Sequence, residues 1–170
     1  MNPDNPDGPV LRHPDVTDAL AIWELVTSTP PLDTNSPYLY AVLAGHFSRT
    51  CLVAETGGEL VGAVTGFTPP EDPRTLFVWQ VAVRADHRGR GLAARMLRGL
   101  LAAQPEMPRQ VTATVSPGND PSLRLFAALA RELHAPITVR PHLSGEHLGP
   151  AGIAHPDEDL VTIGPIGETA

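Results

Sequence analysis

The spacing of apolar residues changes along the chain, and each change predicts an element. LFVWQVAV at residues 76–83 is apolar except for Gln80 and rich in valine and aromatics, which predicts a strand buried on both faces. Leu92, Met96, Leu97, Leu100 and Leu101 follow at one-turn spacings and predict an amphipathic helix. Upstream, residues 10–13 suit a first strand. Ala19, Leu20, Ile22, Trp23 and Val26 predict a helix over residues 15–26, capped by Asp15 or Thr17. Ser36-Pro37 opens a second helix, with serine as cap and proline in its first position, running to about Phe47. Residues 52–55 and 60–68 form a hairpin around Thr56-Gly57-Gly58.

Downstream, the β-branched run VTATV at residues 111–115 predicts a buried strand. Ser122 is expected to cap a helix through Leu133, with Leu125, Phe126, Leu129 and Leu133 inward. Residues 137–140 and 160–163 are the last strands, and 141–159 is expected to be a long ordered loop. The fold class is α/β (α+β): a mixed, mostly antiparallel central sheet with helices on both faces. Met1 to Pro9, rich in proline, asparagine and aspartate, reads as a disordered tail before a single domain.

The junction between the central strand and its helix carries the chemistry. Arg88-Gly89-Arg90-Gly91-Leu92-Ala93 places two glycines where the backbone bends from strand to helix. A helix N-terminus offers unpaired N–H donors and a partial positive charge, so it attracts anions. Arg88 and Arg90 add formal charge, and the arrangement suits a pyrophosphate. By itself a short glycine motif also fits an ordinary strand-to-helix turn.

Composition narrows the partners. The chain has 170 residues, 42% of them hydrophobic, enough for one domain with a real core. A net charge of −7 argues against a nucleic-acid partner. All 12 basic residues are arginine, which reads as codon bias. A single cysteine, Cys51, excludes an internal disulfide and suits a buried thiol in a reducing compartment. No apolar run reaches the ~18 residues that read as a membrane span, and the N-terminus has no signal-peptide pattern. A cytoplasmic protein is expected. His142, His147 and His155 lack metal-ligand spacing and cysteine partners, so no metal site is expected.

The strand, glycine turn and helix resemble the acetyl-CoA-binding core of the GNAT superfamily of N-acyltransferases, whose pattern there is Gln/Arg-x-x-Gly-x-Gly/Ala. The resemblance implies that backbone amides of Arg88, Gly89, Arg90, Gly91, Leu92 and Ala93 hold the pyrophosphate of coenzyme A. It implies that the backbone of Val81, Ala82 and Val83 pairs with the pantetheine arm. Three further stretches, LDTNSPYLY at 32–40, LFVWQVAV at 76–83 and HPDEDL at 155–160 followed by Ile163-Gly164-Pro165, join residues 112–119 in a closer resemblance. Together they are similar to the diaminobutyrate acetyltransferases of the ectoine pathway, over residues 11–166.

That resemblance implies transfer of acetyl from acetyl-CoA to the 4-amino nitrogen of L-2,4-diaminobutyrate, and a homodimer. It places Asp33, Tyr38, Trp79 and Glu158 at the substrate, with His155 close by. The chemistry fits, because carboxylates and aromatic faces suit a molecule with two ammonium groups. Each residue also has a plainer reading. Asp33 suits a turn, Trp79 a core, Glu158 a solvated acidic run and His155 a loop. Tyr38 and Tyr40 cannot share one helix face, and Tyr38 is the one assigned to the pocket.

Glu158 is the first candidate for the base that deprotonates the amine, and His155 the second. A main-chain N–H near Val81 suits the oxyanion. Many superfamily members protonate the leaving thiolate with a tyrosine seven residues beyond an asparagine. Here Asn119 is followed at that spacing by Phe126, which has no proton to give. The thiolate then leaves unprotonated or uses water or Tyr38, and Asn119 remains a candidate for the pantetheine arm. Two alternatives stay open: an acetyltransferase for another small amine, or a coenzyme A-binding module without transfer activity.

Overall fold

The computed structural model describes residues 8–149 and 155–167. The elements are β1 (Val10–Arg12), α1 (Ala19–Thr27), α2 (Pro37–His46), β2 (Leu52–Thr56), β3 (Glu59–Phe67), β4 (Thr75–Val83), α3 (Leu92–Ala102), β5 (Gln110–Val115), α4 (Asp120–Glu132), β6 (Ile137–Leu143) and β7 (Glu158–Ile163). That is the expected order. The seven strands lie in the order β1-β2-β3-β4-β5-β7-β6. β4 runs parallel to β5, while the β1–β2, β2–β3, β5–β7 and β6–β7 pairs are antiparallel. The sheet is mixed and mostly antiparallel.

The described residues pack as two compact units. The first holds those up to Phe67 together with Trp79–Glu106; the second holds Thr68–Val78 and those from Met107 onward. In the first unit, Val53 pairs with Ala63 and Ala54 with Gly62. Neighbouring strand residues point to opposite faces. α1 and α2 cover the face of Val53 and Ala63, where Ile22, Leu25, Val26 and Tyr40 complete the core. α3 covers the other face. There a Cβ on Gly62 would stand 2.8 Å from Met96 Sδ, and one on Gly99 would stand 3.1 Å from Leu11 Cδ1. Two missing side chains thus let α3 lie close against the strands.

The entry to α1 is a 3-10 turn, Val16–Asp18. Asp15 accepts from the Thr17 N–H at 2.7 Å and Asp18 accepts from the Asp15 N–H at 2.9 Å, so Asp15 and not Thr17 is the cap. Asp18 also accepts from Arg12 Nη1 at 2.7 Å, which holds its carboxyl below the usual carboxylate range. Ser36 stands at the cap position of α2 with extended backbone, but its side chain makes no capping bond. Pro37 in the first position is left to set the start.

In the second unit, β5 pairs with β4 at Thr75, Leu76 and Phe77, and with β7 on its other side. β6 is the outer edge. α4 starts earlier than expected: Asn119, not Ser122, is its cap, and accepts from the Ser122 N–H at 3.2 Å. The helix can begin before Pro121 because a proline in the first turn has no N–H to satisfy. The loop expected at 141–159 is shorter than predicted. β6 continues through Pro141 to Leu143, and β7 begins at Glu158. An edge strand tolerates proline, and the register shifts between Pro141 and Leu143. Residues 150–154 of that loop, and 1–7 of the expected tail, lie outside the described residues. At the end of that tail, the Pro9 carbonyl accepts from Arg95 Nη2 at 2.7 Å.

Candidate functional site

The residues predicted to bind the cofactor surround the end of β4. Beyond Val83 the chain makes a 3-10 turn, Ala85–His87, and enters α3 at Leu92. Gly89 and Gly91 have φ of 72° and 74°, a left-handed conformation that side chains resist. Gly91 is the cap residue of α3, and no side chain caps the helix. With glycine at the cap, no cap side chain covers the first N–H groups of α3. Gly89, Arg90 and Gly91 are exposed, and a Cβ on either glycine would meet nothing within 4 Å. The glycines serve backbone shape and access, not internal packing.

The charges around this turn are arranged for an anion. Asp86 is engaged by Arg84 Nε at 2.8 Å and by His87 Nδ1 at 2.8 Å. The Arg84 guanidinium first, then His87, lowers the Asp86 carboxyl to about 2. This acidic group is compensated before any ligand arrives. Arg88 Nε donates to the Val83 carbonyl at 2.8 Å and ties the turn back to its strand. Of the strand residues predicted to meet the pantetheine arm, Ala82 and Val83 are buried and Val81 is half-buried. A helix N-terminus with open amides and two nearby arginines fits a diphosphate.

The substrate residues predicted in the first unit are Asp33, Tyr38 and Trp79. Asp33 is exposed on the loop between α1 and α2, and that loop is held from beneath. Gln80 Nε2 donates to the Asp33 carbonyl at 2.7 Å, and Trp23 Nε1 donates to the Asn35 carbonyl at 3.0 Å. Trp79 is 41% exposed, with its ring centroid 6.1 Å from that of Phe67. This excludes the plain-core reading of Trp79. The two tyrosines of α2 part as the helical period requires. Tyr38 is 77% exposed, whereas Tyr40 is fully buried and donates its hydroxyl to Gln80 Oε1 at 3.0 Å. The sequence reading noted Gln80 only as the one polar residue of its strand, and that was the available signal.

The second unit carries the remaining residues. Glu158 opens β7, is half-buried, and accepts from the Ser116 hydroxyl at 2.6 Å. Sequence reasoning missed Ser116, whose spacing from Glu158 carries no pattern. His155 Nδ1 lies 2.7 Å from the Pro156 carbonyl. Since a carbonyl only accepts, this nitrogen holds the proton, and Nε2 is the basic nitrogen of the neutral ring. Asn119 is occupied as the cap of α4. Phe126 is buried in α4 at 4% exposure. Cys51, in the first unit, is 1% exposed, and burial pushes its thiol up to about 11, as suits a structural residue. Among the described residues no group of three or more His, Cys, Asp and Glu is placed to hold a metal, and no helix is long and apolar enough to cross a membrane.

Known proteins resemble this chain in sequence and in fold. The acetyltransferase (GNAT) family profile matches residues 19–130. The L-2,4-diaminobutyric acid acetyltransferase of Virgibacillus pantothenticus is 42% identical over 154 residues, covering 90% of this chain and 96% of that protein. The protein of the same name from Halomonas elongata is 42% identical over 158 residues, covering 91% and 80%. Among solved structures, the diaminobutyrate acetyltransferase EctA from Paenibacillus lautus, in complex with its substrate L-2,4-diaminobutyric acid and coenzyme A, superposes with a TM-score of 0.89. It is 43% identical, with 95% of this chain and 98% of that chain covered. The ribosomal-protein-S18-alanine N-acetyltransferase of Escherichia coli, at 15% identity and a TM-score of 0.70, shares the fold.

Proposed function

The chain belongs to the GNAT acetyltransferases and, among them, to the L-2,4-diaminobutyric acid acetyltransferase family, and from that premise we propose that it acetylates the 4-amino nitrogen of L-2,4-diaminobutyrate. The observation that carries acetyl-CoA is the open N-terminus of α3 behind two left-handed glycines. The reaction is the acetylation step of ectoine synthesis. The enzyme works in the cytoplasm, the reducing compartment that a lone buried Cys51 suits, and as the homodimer that the family resemblance implies.

Acetyl-CoA supplies the activated acyl group as a thioester. Amides of residues 88–93 bind its diphosphate, and the Val81–Val83 backbone aligns the arm that follows. Asp33 pairs with a substrate ammonium, Tyr38 offers a hydroxyl, and Trp79 offers an aromatic face. The attacking nitrogen must first lose a proton. Glu158 is the base, with His155 Nε2 as second candidate. A main-chain N–H near Val81 stabilises the oxyanion. Phe126 has no hydroxyl, so the thiolate departs unprotonated or takes its proton from water or Tyr38.

Turnover of acetyl-CoA with L-2,4-diaminobutyrate, followed by NMR of the product, tests this reading. The expected product carries acetyl on the 4-amino nitrogen. Acetylation at the 2-amino nitrogen, or turnover only with other amines, overturns it.

A further inference from the structure

Gln80 is a polar side chain within the apolar strand β4, and it is 6% exposed. Burying an amide is unfavourable unless both its ends are hydrogen-bonded. Here both ends are engaged. The nitrogen donates to the Asp33 carbonyl at 2.7 Å and the oxygen accepts from the Tyr40 hydroxyl at 3.0 Å. The direction of this relay follows from its ends. A backbone carbonyl only accepts, so the amide nitrogen must face Asp33. The amide oxygen then faces Tyr40, which must donate.

Tyr40 is fully buried, and close packing around it holds its hydroxyl in place. Trp23 holds the carbonyl of Asn35 from the same side of the loop at 3.0 Å. The backbone is thus gripped on both sides of Thr34, and Asp33 is an exposed residue of this loop. Replacing both partners of a buried hydrogen bond by apolar groups can be nearly neutral, so apolar groups at positions 40 and 80 could serve the core, and the group that would lose by it is the part-buried Asp33 carbonyl on the loop. What the polar pair adds is a fixed position for the loop.

We propose that Gln80, held by Tyr40, is a positioning residue that sets where Asp33 meets the substrate ammonium. The proposal rests on the assignment of Asp33 to the substrate. Gln80 touches no substrate itself. It acts by keeping the carboxylate where a bound ammonium needs it before binding occurs.

Steady-state kinetics of Gln80→Met, Tyr40→Phe and Asp33→Asn, varying each substrate in turn, test it. Gln80→Met is expected to raise KM for diaminobutyrate about tenfold and Tyr40→Phe by a smaller factor, with KM for acetyl-CoA within about twofold of the parent. Loss of stability alone would reduce the active fraction and leave both KM values in place. In an Asp33→Asn background, Gln80→Met should add nothing further. An unchanged diaminobutyrate KM in Gln80→Met, beside a raised one in Asp33→Asn, overturns the positioning role and spares the assignment of Asp33. An unchanged KM in Asp33→Asn overturns that assignment and the proposal with it. If Gln80→Met fails to fold, Tyr40→Phe decides on the same two KM values, because it removes a single hydroxyl.

Discussion

Ser116 donates its hydroxyl to Glu158 Oε1 at 2.6 Å, joining the end of β5 to the first residue of β7. It holds one carboxylate oxygen and leaves the other to point elsewhere. With Glu158 as base, Glu158→Gln should lose at least about tenfold in kcat/KM for diaminobutyrate, and Ser116→Ala roughly fivefold, the loss of one hydrogen bond of about 1 kcal/mol. KM for acetyl-CoA should stay near the parent value in both. Full activity in Glu158→Gln would remove this residue from the mechanism.

The glycine turn makes a separate prediction. Gly91 has φ of 74° and caps α3 with nothing but backbone. Valine there would strain the turn and cover the amides. Gly91→Val should raise KM for acetyl-CoA at least about tenfold and, through backbone strain, lower the melting temperature by several degrees, with the variant still folded at the assay temperature. Unchanged acetyl-CoA kinetics in a folded variant would place the diphosphate elsewhere.

Phe126 is 4% exposed among apolar neighbours of α4 such as Leu129 and Ala130. A hydroxyl added there would be buried, at a cost of about 1–3 kcal/mol if it found no acceptor. Phe126→Tyr should lower the melting temperature and leave kcat where it is. A severalfold gain in kcat would mean that the usual acid geometry survives and lacks only its oxygen.

Asp18 predicts a pH dependence of stability. Its folded carboxyl lies below the unfolded value, first because Arg12 donates to it and also because the Asp15 N–H does. A lowered folded value means that the ionised group stabilises the fold above the unfolded pKa of about 3.9. That contribution disappears as the pH falls through the folded value. Asp18→Asn should therefore melt below the parent at pH 7, with the gap closing below about pH 4. A gap of constant size from pH 7 to pH 3 would show that the charge of Asp18 is irrelevant.

The sequence made some features legible and hid others for physical reasons. Period and turn chemistry are local, so the order of all eleven elements could be read, as could the glycine junction at residues 88–93. The split between Tyr38 and Tyr40 followed from the helical period, but which of them faced inward did not. That choice depends on Gln80, 40 residues further on. The Ser116–Glu158 bond spans 42 residues and has the same origin. Pro141 suggested an early end to β6, because a proline breaks a central strand. β6 lies at the sheet edge, where no second ladder needs its N–H. Asn119 and Ser122 are both good caps, and Pro121 between them left the start of α4 open to either.

Gly62 and Gly99 determine how deeply α3 sits, and α3 moves as a stiff rod. A methyl on Gly99 would press on Leu11 and Leu52, and one on Gly62 on Met96. Either would work as a lever, lifting one part of the rod and tilting its far end. That end is Leu92, where the helix presents its open amides, about 6 Å along the axis from Met96 at 1.5 Å per residue. With the diphosphate held there as proposed, its grip is calibrated by side-chain contacts more than a helical turn away, which the ligand never touches.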